Sequence, residues 1–285
     1  GHEGAVMNER SAVIVVGGGA IGSSAAWHLA RRGVDVTLVE RFEPGHHRGA
    51  SHGATRNFNV AYREPEYQAM LRESLELWRD LEAESGATLL SLHGLVNHGG
   101  AFDVDARHRA MLDAGWRSEM LDATEASSRW TGMRFASDVQ FTADGGTVRA
   151  DLAVAALQAG VVASGGRVMH HTEVVAIREH EAGVVVELVD EHGQRTISAN
   201  AVVVGAGAWT SRLLGGILPL PVLRVTQEQP SHFAPLDSSP VGTDTVWPSF
   251  NHHASAVEGG EWWPAAIYGM PTPGEGIKIG WHGAG

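Results

Sequence analysis

The sequence contains no cysteine. This absence excludes disulfide frameworks, thiolate zinc sites and cysteine nucleophiles together, so redox chemistry would need a bound cofactor. Long apolar runs are also missing near the start, where the longest is Ala12–Val16, and the residues around it lack a signal-peptide layout. We therefore expect a cytoplasmic protein whose natural start is Met7.

Basic residues are scarce as well. The chain has 21 Lys and Arg against 33 Asp and Glu, a formal net charge of −12, and both signs are spread along its length. Without a basic patch, nucleic acid and anionic membranes are not expected as partners. What the chain has is apolar material: 43% of its 285 residues are hydrophobic, which is enough for a sizeable core and for two interleaved domains.

A strand–helix–strand unit is the best-defined element of the sequence. Ser11–Gly17 is rich in β-branched residues, Ala20–Arg32 has helical periodicity, and Gly33 ends that helix. A second strand, Val34–Glu40, follows at once. The length of the unit is typical of a parallel crossover.

Further elements are predicted from periodicity along the rest of the chain. Thr88–Asp144 reads as a mixed sheet-and-helix insertion, and the prolines Pro219, Pro221, Pro230, Pro235 and Pro240 favour strands with irregular loops after Gly215. The other predicted helices are Pro65–Gly86, with Met70, Leu71, Leu75, Trp78 and Leu81 on its apolar face, Asp103–Gly115 and Val148–Ser164. The other predicted strands are Arg167–His170, a hairpin over Glu173–Val189 that turns near Glu181–Gly183, a buried strand Ala201–Val204, and Gly276–His282.

Gly17-Gly18-Gly19-Ala20-Ile21-Gly22 matches the G-x-G-x-x-G pattern and lies between the first strand and the first helix. Gly17 permits a tight turn, Gly19 lets a pyrophosphate approach the backbone, and Gly22 lets the helix pack closely on the strand. Glu40, at the tip of the second strand, can accept hydrogen bonds from ribose hydroxyls. No lysine follows Gly22, which excludes a triphosphate-binding P-loop; the remaining alternative is a glycine-rich turn that binds no dinucleotide.

Several blocks further along the chain resemble one family. Gly49-Ala50-Ser51-His52-Gly53-Ala54-Thr55-Arg56 resembles the segment after the second strand in the sarcosine oxidase and N-methyltryptophan oxidase family, which is of the D-amino acid oxidase type and binds FAD. The resemblance covers nearly the whole chain from Ala12 onward, with its blocks in the family's order. Those further blocks are Ala61–Glu64, Tyr67, Val203–Trp209, Tyr268–Pro271 and Gly276–His282.

The resemblance implies roles for individual residues. It places His52 and Arg56 beside the flavin, where a fixed cation stabilises negative charge on the ring. With the glycine motif, it predicts that FAD is bound by Gly17, Gly19, Ala20, Ile21, Gly22, Glu40, Arg41, Ser51, His52, Thr55, Arg56, Val174, Gly205, Gly207 and Trp209. The alternative for Arg56 is an ordinary ion pair at the surface.

Strand alternation places Lys278, Gly280 and His282 on one face of the last predicted strand. Gly280 leaves space between two ionisable side chains, which suits a flavin ring or a substrate. The resemblance implies that Lys278 sits over the flavin and activates oxygen, and that Tyr268 lines the substrate cavity. With His52, Arg56 and His282 these form the candidate catalytic set; the alternatives are an edge-protecting lysine and an ordinary core tyrosine.

Other chemistries find no support. The adjacent histidine pairs His46-His47, His170-His171 and His252-His253 point to opposite sides of a strand, and no H-E-x-x-H spacing occurs, so no metal site is predicted. A hydrolase is not favoured either, because the G-x-S-x-G pattern is missing.

The sequence departs from the family in two places. Asn59 stands where the family commonly has a second arginine that holds the substrate carboxylate, and an amide cannot make that bidentate grip, which puts sarcosine specificity in doubt. The chain also stops at Gly285, before the family's C-terminal part with its flavin-linking cysteine and a further substrate-binding lysine. On this ground we expect an incomplete flavin site and impaired turnover.

We thus predict an α/β protein with two interleaved domains. A Rossmann-like FAD domain covers residues 7–84 and 145–215, and a second α+β domain with a mixed sheet, residues 85–144 and 216–285, binds the substrate. The resemblance implies hydride transfer from the carbon beside a secondary amine to flavin N5, giving an imine, with reoxidation by O2 to H2O2. A monomer is favoured; the alternatives are an FAD-dependent dehydrogenase with another acceptor, or a non-catalytic dinucleotide-binding fragment, while the Ser51–Arg56 segment and the second glycine turn disfavour an NAD enzyme.

Overall fold

The computed structural model describes residues 9–236 and 247–284. Two compact units form, each from three chain segments: unit 1 comprises residues 1–53, 83–87 and 150–225, and unit 2 comprises 54–82, 88–149 and 226–285. This division assigns 54–82 to unit 2, whereas the sequence analysis placed that segment with the FAD domain. None of the helices in the described ranges has the length and apolar character needed to cross a membrane.

Unit 1 is built on a six-stranded mixed sheet in the order β10-β11-β12-β1-β2-β9. The pairs β12–β1, β1–β2 and β2–β9 are parallel, and β10–β11–β12 is an antiparallel meander. Its strands are β1 (Glu9–Val16), β2 (Val36–Val39), β9 (Arg167–Met169), β10 (Glu173–His180), β11 (Gly183–Asp190) and β12 (Gly193–Val204). Its helices are α1 (Ala20–Arg31), α5 (Ala150–Ala163) and the short α6 (Thr210–Leu214).

The core of unit 1 confirms the strand–helix–strand prediction. β1 and β2 pair in parallel with Val13 opposite Val36, and α1 buries Ala26, Trp27 and Ala30. Helix α5 approaches α1 closely because Gly160 leaves space for the Trp27 indole, which a Cβ at Gly160 would meet at 2.6 Å. Because β1, β2, β9 and β12 run parallel to one another, their carboxyl ends lie at one edge of the sheet, where ligands of such sheets bind.

Unit 2 contains a seven-stranded sheet in the order β13-β16-β15-β14-β5-β7-β6 and a small sheet β3-β8-β4. All pairs in both sheets are antiparallel except β14–β5. The strands are β3 (Arg56–Phe58), β4 (Leu90–Ser91), β5 (Leu95–His98), β6 (Glu119–Leu121), β7 (Val139–Thr142), β8 (Gly146–Val148), β13 (Ser231–Phe233), β14 (Ser249–His252), β15 (Ala266–Thr272) and β16 (Gly276–His282). The helices are α2 (Pro65–Ser85), α3 (Val104–Asp113) and α4 (Ala123–Arg129).

A row of polar side chains crosses the large sheet of unit 2. Tyr268, Asn251, Asn97 and Gln140 are direct neighbours on four adjacent strands, and Asn97 and Gln140 are fully buried. Asn251 Nδ2 donates to Asn97 Oδ1 at 2.9 Å, and Asn97 Nδ2 donates to Gln140 Oε1 at 2.8 Å. Gln140 Nε2 donates to Ser118 Oγ at 2.9 Å, so the buried amides find partners within the row and beside it, as amides in a core must.

Two of the predicted elements need correction here. The Ala201–Val204 strand is the end of the longer β12, and its residues are exposed or half-buried rather than buried. On α2, Met70 is 55% exposed. The buried residues of that helix are Leu81 and a polar one, Gln68, whose amide donates to the carbonyls of Val60 and Tyr62 and accepts from Trp116.

The proline-rich stretch after Gly215 is irregular, as predicted, up to the short strand β13. Pro240 lies outside the described residues.

Candidate functional site

The glycine turn of unit 1 is held so tightly that side chains would not fit. Gly17 has φ +102°, and a Cβ there would lie 2.3 Å from the Gly205 carbonyl oxygen. A Cβ on Gly22 would lie 1.7 Å from the carbonyl oxygen of Gly17. These two glycines let β1, α1 and the second glycine turn pack together, and Gly205 N–H donates to Val16 O at 2.8 Å.

The first turn of α1 offers the donors that a pyrophosphate requires. Gly19 is its N-cap and supplies no side-chain cap, and the first turn carries no acidic residue. Ala20 N–H donates to Ser51 Oγ at 2.9 Å, and the Ile21 side chain is 75% exposed. The first turn of α1 itself therefore carries no carboxylate that would compete with the diphosphate of FAD for its backbone N–H groups and the positive end of the helix dipole.

Glu40 fastens this turn to the end of β2. The side chain is buried, its Oε2 accepts from Gly18 N–H at 2.7 Å, and its Oε1 accepts from Phe42 N–H at 2.9 Å. His46 Nε2 lies 3.4 Å from the same Oε1. The carboxylate thus binds backbone at two places, and its bonds to a ribose remain a prediction.

Two residues that the sequence analysis missed also hold the turn. Gln158 Nε2, on α5, donates to the Gly18 carbonyl at 3.0 Å, and Ser23 Oγ donates to the same carbonyl at 3.0 Å. A Cβ at Gly18 would lie 2.9 Å from Glu40 Cβ and 3.1 Å from Gln158 Nε2, so this position requires glycine too. Gln158 is 140 residues away in sequence, and no local pattern points to it.

The other predicted cofactor residues of unit 1 lie in varied surroundings. Gly207 has φ +51° in an open turn. The ring centroids of Trp209 and Phe42 are 5.6 Å apart. Arg41 Nε lies 3.5 Å from Glu173 Oε2. Val174 is 8% exposed in the hydrophobic core of the meander. His52 stacks on His47 with 5.1 Å between ring centroids.

A second group of candidate residues lies in unit 2, where two cationic side chains donate to the same backbone carbonyl. Lys278 Nζ donates to Thr55 O at 2.9 Å, and Arg56 Nη1 donates to the same oxygen at 2.9 Å. The Thr55 hydroxyl is hydrogen-bonded to Thr272 Oγ1 at 2.8 Å, and both threonines are buried. Burial, and then the charge of Arg56, lower the pKa of Lys278 to about 8, against the opposing effect of Glu275.

The burial of Lys278 contradicts one of its two interpretations. Lys278 is 6% exposed, and β16 lies between β13 and β15, so the alternative of an edge-protecting lysine is wrong. Lys278 is also the only lysine in the sequence. The prediction of open space beside Gly280 is also wrong, because a Cβ there would lie 2.5 Å from the Tyr268 hydroxyl oxygen.

Tyr268 and Arg56 share the electrostatic environment of this group. Burial, and then Glu228, raise the pKa of the Tyr268 phenol, and Arg56 opposes them. Burial lowers the pKa of Arg56, while Tyr268 and Glu228 act in the opposite direction. His282 lies further out: its side chain is 79% exposed and its Nδ1 is 3.7 Å from Glu228 Oε1.

The structure therefore places the candidate residues in two groups. The glycine turn, Glu40 and Ser51 lie together in unit 1, and Thr55, Arg56, Tyr268 and Lys278 lie together in unit 2; the division falls within the 49–56 motif, after Gly53. Asn59 Oδ1 accepts from Ala61 N–H at 2.9 Å and so stabilises its own turn. Within the described ranges, no three histidine or carboxylate side chains are arranged to hold a metal ion.

A sheet with parallel central strands and two glycine turns at their carboxyl edge defines unit 1 as a dinucleotide-binding unit. Residues 12–282 match the family model of the FAD-dependent oxidoreductases named DAO, and the chain belongs to that family. The protein is accordingly FAD-dependent.

Named relatives agree with this assignment. The chain is similar to monomeric sarcosine oxidase of Bacillus sp. (strain NS-129), with 29% identity over 98% of this chain and 70% of that enzyme. It is 30% identical to N-methyl-L-tryptophan oxidase of Yersinia pestis (strain Pestoides F), over 96% of this chain and 70% of that enzyme. The open form of NikD, an unusual amino acid oxidase essential for nikkomycin biosynthesis, superimposes with a TM-score of 0.75 and 25% identity, over 96% of this chain and 70% of NikD.

Proposed function

We propose that this protein oxidises the carbon–nitrogen bond of a secondary, N-methylated amino acid and passes the electrons to O2, yielding an imine and H2O2. The observation that carries the proposal is the convergence of Lys278 and Arg56 on the carbonyl oxygen of Thr55. The named relatives, two of which are oxidases of N-methyl amino acids, support the same reaction. Bound FAD supplies the two-electron acceptor for such an oxidation.

The residues of the cluster have separate tasks in this proposal. Lys278, as a buried ammonium, stabilises the negative charge that develops when oxygen is reduced. Arg56 supplies a fixed positive charge that does not depend on pH in the physiological range. The Tyr268 phenol keeps its proton, because its pKa is raised, and acts as a hydrogen-bond donor to the substrate.

Substrate choice follows from Asn59. Its amide is neutral, so Asn59 supplies no cation to a substrate carboxylate, and its oxygen already accepts from Ala61 N–H. We therefore propose weaker dependence on that carboxylate than an enzyme with a second arginine would show. Comparing sarcosine and bulkier N-methyl amino acids with N-methyl amines of matched size that lack a carboxyl group measures this dependence.

The decisive experiment is anaerobic mixing of the FAD-loaded protein with each amine, followed in the flavin absorption band, and parallel measurement of H2O2 in air. Bleaching with N-methyl amino acids and stoichiometric peroxide would support the proposal. Bleaching without peroxide, with turnover restored by an artificial electron acceptor, would instead identify a dehydrogenase. No bleaching with any secondary amine would refute the proposed substrate class.

Lys278→Met and Lys278→Arg form a matched pair for the oxygen step. We expect Lys278→Met to slow O2 consumption at least about tenfold, the loss of one charge-stabilising group, while turnover with the artificial acceptor changes little. Lys278→Arg, which keeps the charge, should retain more O2 consumption. Equal losses with both acceptors would show that Lys278 acts elsewhere in the reaction.

A further inference from the structure

Thr55 is attached to the large sheet of unit 2 at two points. Its carbonyl oxygen accepts from Lys278 Nζ at 2.9 Å, and its hydroxyl is hydrogen-bonded to the Thr272 hydroxyl, with 2.8 Å between the two oxygens. Arg56 Nη1 donates to the same carbonyl at 2.9 Å. Both threonines are buried, so the bond between their hydroxyls replaces bonds to water that burial removes.

The backbone of Thr272 is held firmly on both sides. Thr272 is the last residue of β15, and its carbonyl accepts from Glu275 N–H at 3.0 Å in the turn that leads to β16. Gly276, which pairs with Thr272 across this turn, has φ +74°, and a Cβ there would lie 2.2 Å from the Phe233 carbonyl oxygen. The sheet and the tight turn together therefore keep the Thr272 hydroxyl in one place.

The ammonium group of Lys278 takes its position from the Thr55 carbonyl. Lys278 extends from the same face of the sheet as Thr272, because Met270 pairs with Lys278 and Thr272 with Gly276. Its four-carbon stem is flexible, so the strand alone does not set where Nζ lies. Two cations that share one acceptor also repel each other, and burial and then Arg56 lower the pKa of Lys278 to about 8.

We propose that Thr272 is a positioning residue for the oxygen step: its hydroxyl holds Thr55, and the Thr55 carbonyl in turn holds the ammonium group of Lys278. The inference rests on the proposed function, in which O2 takes two electrons and two protons from reduced FAD and becomes H2O2. A charge that is already in place stabilises a developing negative charge better than one that must first reorient. Thr272 thus acts only through Thr55 and Lys278.

The test is the rate at which O2 reoxidises the FAD-loaded full chain after its flavin has been reduced photochemically, without an amine. We expect Thr272→Val, which removes the hydroxyl, to slow this rate about fivefold, the effect of one hydrogen bond between neutral groups. Thr272→Ser, which keeps the hydroxyl, should reoxidise at close to the wild-type rate. Reoxidation by an artificial acceptor should be the same in all three proteins.

Combining Thr272→Val with Lys278→Met separates positioning from a general structural role. If Thr272 acts through Lys278, Thr272→Val has no further effect once the ammonium is gone; the same loss in both backgrounds would overturn the inference. Thr142→Val is the matched control, because Thr142 is buried on β7 of the same sheet and its hydroxyl accepts from Asp144 N–H at 3.0 Å. This variant should reoxidise like wild type.

The outcomes also distinguish this inference from the proposed function. Normal reoxidation in Thr272→Val, with slow reoxidation in Lys278→Met, would overturn only the role of Thr272. Normal reoxidation in Lys278→Met would overturn both the oxygen role of Lys278 and the inference that depends on it. No amine takes part, so neither result bears on the proposed substrate class.

A second readout follows the lysine itself rather than the reaction. Lys278 is the only lysine in the sequence, so the full chain labelled with 15N-lysine gives a single Nζ signal in the NMR spectrum. Thr272→Val should move this signal, whereas Thr272→Ser and Thr142→Val should leave it at its wild-type position. A signal that does not move in Thr272→Val would overturn the inference. If that variant cannot be loaded with FAD, Thr272→Ala, which removes the same hydroxyl, replaces it in every comparison.

Discussion

Replacing Lys278 with methionine measures the cost of a buried ammonium in unit 2. Burial and Arg56 lower the pKa of Lys278 from 10.5 to about 8, and each tenfold change in protonation equilibrium corresponds to about 1.4 kcal/mol. The folded state therefore disfavours the charged form by about 3 kcal/mol. Thr55 O keeps its bond from Arg56 after the substitution, so we expect Lys278→Met to raise the free energy of unfolding by about 1–3 kcal/mol at neutral pH.

The pH dependence gives this prediction its sign. Because the pKa of Lys278 is lower in the folded than in the unfolded protein, the unfolded chain binds more protons between about pH 8 and pH 10.5. Wild-type stability should therefore rise through that window relative to Lys278→Met. The advantage of the variant should be complete below pH 8 and should disappear as pH approaches 10.5.

Urea denaturation of FAD-free wild type and variant across this window supplies the measurement. The difference between the two proteins cancels other titrating groups, and no second lysine exists to confuse the result. Lys278→Arg is the control. Because arginine keeps the charge, this variant should not be more stable than wild type at neutral pH, and its stability should not rise between pH 8 and 10.5 as that of wild type does. A difference between wild type and Lys278→Met that stays constant from pH 7 to 10.5, or a variant less stable at pH 7, would refute the reasoning.

Further substitutions test the backbone of unit 1 and the amide row of unit 2. Gly22→Ala, whose Cβ would lie 1.7 Å from Gly17 O, should lose the flavin absorbance of the purified protein and cost about 3 kcal/mol or more in urea denaturation. Gly33→Ala, at φ +77° in open space, should retain flavin and cost only about 1–2 kcal/mol. Asn97→Leu removes a partner from both Gln140 and Asn251 and should cost about 2–4 kcal/mol. Adding Gln140→Leu should then cost less than the sum of the single changes; strict additivity would contradict a coupled row.

The secondary-structure elements that depend on local sequence were predicted well. The strand–helix–strand unit, the hairpin over β10 and β11, and helix α5 of unit 1 follow from periodicity and turn residues, as do α2 and α3 of unit 2. Sequence also supplied the glycine turn and the family. It could not supply the partner of Gly18 on α5, because Gln158 lies 140 residues away in the chain.

Unit 2 was harder to predict, for physical reasons visible in particular residues. The parallel pair β5–β14 joins Asn97 to Asn251, and isolated amides in short strands carry no signal of such pairing. Alternation correctly placed Lys278 and Gly280 on one face, but the ring that fills the space at Gly280 belongs to Tyr268 on the neighbouring strand. The burial of a lysine also runs against its usual preference for solvent.

The solitary lysine has a practical consequence. Arginine does not react with acylating reagents that modify amines, so the chain has one reactive side-chain amine, enclosed at β16 and bonded to Thr55. Such a reagent can modify it only while the strands around it are transiently open. The rate at which a native sample is acylated at Lys278 would thus report how often this part of unit 2 opens, without an engineered probe.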